Sequence, residues 1–205
     1  MLVEKQMATS REKARAMILS GIVFSDGIRI EKAGHRLTSK SDLELRGRQL
    51  QYVSRGGVKL EGALKDFQID VTSLEALDVG ASTGGFSDCL LQLGAAHIYG
   101  VDVGKGLAHQ KLVNDPRVTI LQGVHIQELT SVQIPKKCDL CVADISFNSL
   151  SRLMSYVLPF LKSTAQVLLL VKPQFELTVE EFKQVSERGI VYSQEAQELA
   201  CKRIA

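Results

Sequence analysis

Hydrophobic positions in this chain follow two periods. Short apolar runs at 74–79, 96–102, 117–122, 138–144 and 165–171 have the length and make-up of buried strands. Elsewhere apolar residues recur at helical spacing. Helices are predicted over 10–20, with Ala14, Met17 and Ile18 as the buried stripe, and over 58–67, with Leu60, Ala63, Leu64 and Phe67 on one face. Further helices are predicted over 85–93, over 149–161, and from near Ser193 onward. Strands alternating with helices predict an α/β body whose sheet is mainly parallel.

Ahead of that body the pattern changes. Thr9, with Glu12 three residues on, reads as a capping box, and Gly21 stops the helix that follows. Val23-Phe24-Ser25 and Ile28-Arg29-Ile30 alternate around Asp26-Gly27, a hairpin signal. Leu43-Glu44-Leu45 reads as a closing strand. Residues 1–47 therefore predict a small α/β module. Residues 48–57, RQLQYVSRGG, predict a polar linker, and 58–205 the α/β body.

Charge follows the same division. The chain of 205 residues is 45% hydrophobic, enough for a real core, and carries a net charge of +2. Residues 1–57 hold 11 Lys/Arg against 6 Asp/Glu, whereas 58–205 hold 14 against 17. A basic appendage on an acidic body points to a polyanion partner, although ordinary surface charge can produce such an excess.

No apolar run approaches the roughly 18 residues of a membrane span. Residues 1–20 are charged throughout, without a secretory pattern. Together these predict a cytoplasmic protein with no membrane partner. The cysteines Cys89, Cys138, Cys141 and Cys201 fit reduced thiols. Cys138 and Cys141 form a lone C-x-x-C across a strand, where residues three apart face opposite ways. A zinc site needs a second pair and a redox site a helix N-terminus, so neither is predicted. His35, His97, His109 and His125 show no ligand spacing.

The chemistry centres on LDVGASTGGF, residues 77–86. Strand, glycine turn and helix in succession are how a doubly wound α/β fold opens its ligand crevice. A dinucleotide site places glycine at the first, third and sixth turn positions, and here these are Gly80, Ser82 and Gly85. Ser82 puts a side chain where backbone must approach a pyrophosphate. S-adenosylmethionine has no pyrophosphate, so the turn favours it over NAD. Asp102, at the end of the next strand, lies where an acid binds ribose hydroxyls. A tight turn with no nucleotide is the plain alternative.

Two other strands also end in polar residues. Asp144 ends one in ADISF, and Lys172 ends another in VKPQFE, while Lys59 follows Gly56-Gly57. Lysine, with an ordinary pKa of ~10.4, is a poor base at neutral pH, but burial and a second cation depress it. An amine so tuned can take a proton from a hydroxyl as its oxygen is methylated. The alternative is a structural Asp144–Lys172 ion pair at the sheet rim.

The short basic helix and the strands after it, in 1–47, resemble the S4 RNA-binding domain, although that domain's opening strand is absent or cut short. The resemblance implies that Arg11, Lys13 and Arg15 are offered to phosphate, with Arg55 a further RNA contact. In order after this module come YVSRGGVKLEGAL, LDVGASTGGFSDCLLQLGA, VDVGKGLAH, ADISFNSL and VKPQFE. These resemble the TlyA/haemolysin A family, whose methyltransferase domain is of the FtsJ type. The resemblance implies a class I, Rossmann-like S-adenosylmethionine-dependent methyltransferase that 2′-O-methylates ribosomal RNA, free or in a ribosomal subunit. It carries the first three members of a Lys-Asp-Lys-Glu tetrad onto Lys59, Asp144 and Lys172. It carries cofactor binding onto Asp78, Gly80, Ser82, Gly84, Gly85, Phe86 and Asp102.

There are departures from the family pattern. The tetrad glutamate lies in the family's last strands, and Glu176 and Glu181 come too early for it. A C-terminally truncated sheet is therefore expected. His125-Ile126-Gln127 stands where the family has Asn-x-Arg. An RNA-binding protein without catalysis is the main alternative. The cytolysin that the family's historical name suggests finds no amphipathic membrane-active segment here.

Overall fold

The computed structural model describes residues 1–8, 10–19, 21–38, 41–46, 51–146 and 148–204, in two compact units, Met1–Gln51 and Tyr52–Ala205. In the first unit, helix α1 (Arg11–Leu19) buries Met17, with Ala14 and Ile18 partly buried beside it, as its stripe predicts. The Ser10 hydroxyl accepts the Lys13 N–H at 3.1 Å, supplying one of the helix's missing acceptors. Thr9 and the Glu12 side chain, predicted as the capping box, lie outside the described residues.

Strands β1 (Val23–Ser25) and β2 (Ile28–Arg29) form the predicted hairpin, with Ser25 opposite Ile28. Asp26 and Gly27 both take positive φ, 51° and 82°, the turn whose twist suits the adjoining strands. Strand β3 (Leu43–Leu45) pairs antiparallel on the other side of β1. Leu2, Met17, Val23, Ile30 and Leu43 form the core.

The second unit starts with helix α2 (Arg55–Asp66) and continues through β4 (Glu75–Val79), α3 (Gly85–Gln92), β5 (His97–Asp102), α4 (Gln110–Val113) and β6 (Val118–Gln122). After these come β7 (Cys138–Ala143), α5 (Leu150–Val157), β8 (Leu161–Leu169), α6 (Pro173–Glu176), α7 (Val179–Val185), the small hairpin β9 (Ser186–Glu187) and β10 (Ile190–Val191), and α8 (Gln194–Lys202). Strands β4 to β8 make one sheet in the order β6-β5-β4-β7-β8, parallel throughout. Both faces of its three central strands, β4, β5 and β7, are covered, so these are largely apolar on both sides. Ala76, Ile98 and Leu140 pack with Leu60 and Leu64 of α2 and Leu90 of α3. Leu77, Val101 and Cys141 pack with Leu150, Leu153 and Val157 of α5.

Several boundaries differ from the predicted ones. Residues 52–57 were expected in a linker, yet Tyr52 is buried and α2 already starts at Arg55. Gly56 and Gly57 serve a close approach of helices rather than a break. A Cβ at Gly85 of α3 would lie 3.0 Å from the Gly57 nitrogen, and one at Gly57 would run into the Tyr52 ring. Phe67, expected on the buried face, lies past the end of α2 and is exposed. Helix α5 ends at Val157 and tightens into a 3₁₀ turn, Leu158–Phe160, at Pro159. Strand β8 starts and ends earlier than its apolar run and is largely exposed as the sheet's edge. Its register against β7 shifts between Cys138 and Leu140, and Cys138 and Cys141 fall in one apolar cluster, not on opposite faces. Elements α4, α6, α7, β9 and β10 had no predicted counterpart. Among the described residues no helix is long and apolar enough to cross a membrane.

Candidate active site

The strand order reverses at β4, which has β5 on one side and β7 on the other. Ligands of open α/β sheets bind at such a switch, outside the carboxyl ends of the strands. A cavity of about 340 Å³ lies there, lined by Gly80 and Ser82 after β4, Asp102 and Val103 at the end of β5, and Asp144 to Ser146 after β7. Val79, Val101, Leu107, Val124, His125, Ile126, Asn148 and Leu153 complete its wall.

The turn after β4 is held by hydrogen bonds from two directions. Gly80 and Ala81 donate their N–H groups to the Val101 carbonyl at 2.9 and 3.1 Å. The Asp102 carboxylate accepts the Ser82 N–H through Oδ2 and the Gly104 N–H through Oδ1, each at 2.7 Å. Ser82 takes a left-handed φ of 50°, a conformation that costs a non-glycine residue about 1–2 kcal/mol. At Gly80, with φ of 82°, a Cβ would lie 2.8 Å from the Asp144 carbonyl oxygen, so only glycine lets the two loops meet. Gly84 also has positive φ and starts α3.

Lys172 ends the segment after β8 and precedes α6 directly. Its Nζ lies 2.6 Å from Asp144 Oδ1 and donates to Ser146 Oγ at 2.7 Å. The pair is partly buried, with side-chain exposures of 22% for Lys172 and 26% for Asp144. The amine is thus fixed by two acceptors on the loop that borders the cavity.

The predicted residues do not all converge on this cavity. Gly80, Ser82, Asp102 and Asp144 line it. Asp78 does not: it is 1% exposed, and its Oδ2 accepts the Ser87 hydroxyl at 2.6 Å, tying β4 to α3. Burial pushes its pKa up to about 7, partly offset by the Ser87 bond, and the charges of Asp144 and Asp102 push it further upward. Phe86 is buried in the apolar cluster against α2, and Gly85 serves the packing of α3 on α2. Lys59 is exposed in the second turn of α2, outside the cavity lining, and has no ion pair among the described residues. Arg55, also exposed, sits at the first position of α2, where the helix dipole disfavours a cation.

Sequence reasoning missed most of the apolar wall. Val103, Leu107 and Val124 sit in loops whose register nothing local fixes. His125, expected to be a simple loop residue, lines the cavity and caps a 3₁₀ turn, accepting the Gln127 N–H through Nδ1 at 3.3 Å.

In the first unit Arg11, Lys13 and Arg15 are all exposed on α1. Arg11 and Arg15 border a second cavity of about 640 Å³, joined by Lys32 and His35 over an apolar floor that includes Leu2 and Val23. Cys138 and Cys141 are fully buried, and burial pushes both thiols upward, that of Cys138 to about 12.

A fully parallel sheet of this order, with an acid at the tip of its second strand, defines a Rossmann-like α/β protein with its crevice at the strand ends. Residues 52–205 match the FtsJ-like methyltransferase family, and the chain belongs to it. YqxC of Bacillus subtilis (strain 168), which carries an rRNA methyltransferase name, is 40% identical over 93% of this chain and 67% of its own length. The 16S/23S rRNA (cytidine-2′-O)-methyltransferase TlyA of Mycobacterium tuberculosis is 39% identical over 93% of this chain and 70% of its own. A solved structure under a hemolysin name, from Streptococcus thermophilus, superposes with a TM-score of 0.75 at 35% identity, covering 99% of this chain and 74% of that one.

Proposed function

We propose that this chain transfers a methyl group from S-adenosylmethionine to a ribose 2′-oxygen of ribosomal RNA in the cytoplasm. One observation carries the reading: the Lys172 amine held at 2.6 Å by Asp144, on the loop that borders the crevice. Family membership and the activity named for the mycobacterial relative support it.

The residues present fit the methyl donor. Val103, Leu107 and Ile126 offer apolar walls for the adenine, and the turn has Ser82 in place of the third-position glycine that a pyrophosphate requires. Each Asp102 oxygen holds one N–H and keeps a lone pair for a ribose hydroxyl. Bound there, S-adenosylmethionine supplies an electrophilic methyl group on a sulfonium. Gly80 and Gly84 keep side chains out of the turn, and Asp78 acts one layer below by fixing α3 through Ser87.

The 2′-hydroxyl must lose its proton as its oxygen is methylated. Lys172, in its neutral form and with its lone pair free of Asp144 and Ser146, is the residue placed to orient that oxygen and take the proton. Asp144 and Ser146 hold the amine in one position, so less of its freedom is lost when substrate arrives. Lys59, at the second turn of α2, adds positive charge for the phosphate backbone. Arg55 of α2 contributes a further phosphate contact, and Arg11, Lys13 and Arg15 of the S4-like unit add a sequence-independent grip.

The test is transfer of labelled methyl from S-adenosylmethionine to isolated ribosomal subunits and naked rRNA, with the 2′-position mapped by alkaline resistance. Lys172→Ala should cut incorporation by about a hundredfold or more, as loss of a positioned proton acceptor does, while calorimetric cofactor affinity stays within threefold. Wild-type protein that binds RNA and cofactor but incorporates no methyl would reduce the function to RNA binding. Lysis of erythrocytes without incorporation would move it to a cytolysin.

A further inference from the structure

Glu176 is 8% exposed and ends α6, the single helical turn that starts directly after Lys172. Its two oxygens are both used. Oε1 accepts the Leu150 N–H at 2.7 Å and Oε2 accepts the Ser149 hydroxyl at 2.6 Å. Both partners belong to the N-terminus of α5, whose own Ncap side chain, Ser149, makes no capping bond. The carboxylate thus supplies from a distant segment the acceptors that this helix end lacks.

The same two segments meet at the site. Asp144 and Ser146 after β7 hold the Lys172 amine, and Ser149, ahead of α5, holds Glu176. The segment 172–176 carries the amine at one end and the carboxylate at the other. Between them Pro173 fixes its own φ, and the turn closes on Phe175 N–H to Lys172 O at 2.9 Å and Leu177 N–H to Pro173 O at 3.0 Å. The Arg203 guanidinium adds a bond to the Glu176 carbonyl at 2.9 Å. Two chain segments fastened at both ends, with a stiff turn between, cannot slide past each other without breaking a buried charged contact.

We infer that Glu176 is a positioning residue for Lys172: it fixes segment 172–176 against Ser149 and Leu150 and so sets where the amine stands relative to Asp144. The inference rests on the reading of Lys172 as the proton-taking amine. Glu176 itself touches no reacting atom. A glutamine retains an acceptor for Leu150 and an amide for Ser149, whereas alanine leaves a buried N–H unpaired.

The test compares Glu176→Ala, Glu176→Gln and Ser149→Ala in four readouts: single-turnover methyl transfer, calorimetric cofactor affinity, Tm, and acylation of Lys172 by a water-soluble active ester. Acylation is followed by mass spectrometry relative to the exposed Lys65. Misplacement of a reacting group by about an ångström costs roughly a hundredfold, so Glu176→Ala should lose between tenfold and a hundredfold in transfer, with cofactor affinity within twofold. Lys172 acylation should rise several-fold, Glu176→Gln should recover most of both effects, and Ser149→Ala should fall between. A lower Tm with Lys172 acylation and transfer unchanged would overturn the inference and leave Glu176 a helix cap. Acylation needs no methyl transfer. If the wild type transfers no methyl while Glu176→Ala still frees Lys172, the proposed reaction fails and the positioning role stands.

Discussion

Asp102 accepts the backbone N–H of Ser82 at 2.7 Å, joining the end of β5 to the turn after β4. That bond, with its counterpart to Gly104, holds a non-glycine residue in the left-handed region and shapes the floor of the crevice. The acid predicted to bind ribose is therefore also the acid that builds the turn.

Asp102→Asn should expose both roles. Its amide nitrogen must face one of two N–H donors, so one bond becomes a clash of donors. We expect S-adenosylmethionine affinity to fall by more than about tenfold, equivalent to ~1.4 kcal/mol. Calorimetry at constant salt checks this, and unchanged affinity would remove Asp102 from the cofactor site.

Asp78 makes stability depend on pH. Its folded pKa lies at about 7, above the ordinary value of 3.8, because burial disfavours the ionised form. From about pH 4 to 7 the folded chain therefore holds a proton that the unfolded chain has released. Stability is full below that window and falls as pH rises through it, by at most ~1.4 kcal/mol per pH unit, then levels off. Asp78→Asn keeps an acceptor for Ser87 and should flatten this slope. Urea unfolding from pH 4.5 to 8 measures it, and parallel slopes in both proteins would contradict the assignment.

Arg203 binds Glu181 through two nitrogens, at 2.7 and 2.8 Å, and fastens α8 to α7. The guanidinium holds the Glu181 carboxyl at about 2, below its ordinary 4.5. A lowered carboxylate pKa stabilises above the ordinary value and loses its contribution as pH falls toward 2. Arg203→Gln should therefore bring the acid unfolding of this region to higher pH. Protease cleavage within 186–202 at pH 4 reports it, and equal cleavage rates would show that the pair holds nothing in place.

The basic face of α1 should govern salt dependence. If Arg11, Lys13 and Arg15 contact phosphates, each change to alanine lowers the slope of log affinity against log salt by roughly 0.7–0.9. Fluorescence anisotropy with a fragment of rRNA over a salt series measures the slope. A triple variant with an unaltered slope would place RNA binding elsewhere.

The central strands were legible because burial on both faces of a parallel sheet demands unbroken apolar runs, and those runs are local; β8, exposed at the edge, is the strand whose bounds the pattern missed. Asp102, Asp144 and Lys172 were legible for the same reason: each stands where an apolar run stops. The paired glycines at 56 and 57 were misread, because a helix contact and a chain break call for the same small residue. Glu176 carries no local signal of its role, since its partners Ser149 and Leu150 lie 27 and 26 residues away.

The sequence alone thus determined the α/β class, the glycine turn and the acids and amine at the strand ends, since each is written in neighbouring residues. Only the tertiary structure decided that Asp78 is buried against Ser87, that Phe86 belongs to the core, that Asp144 and Ser146 hold the Lys172 amine, and that Glu176 meets Ser149 and Leu150. Those contacts depend on which strands lie side by side and where their loops end, and no short stretch of chain carries that information.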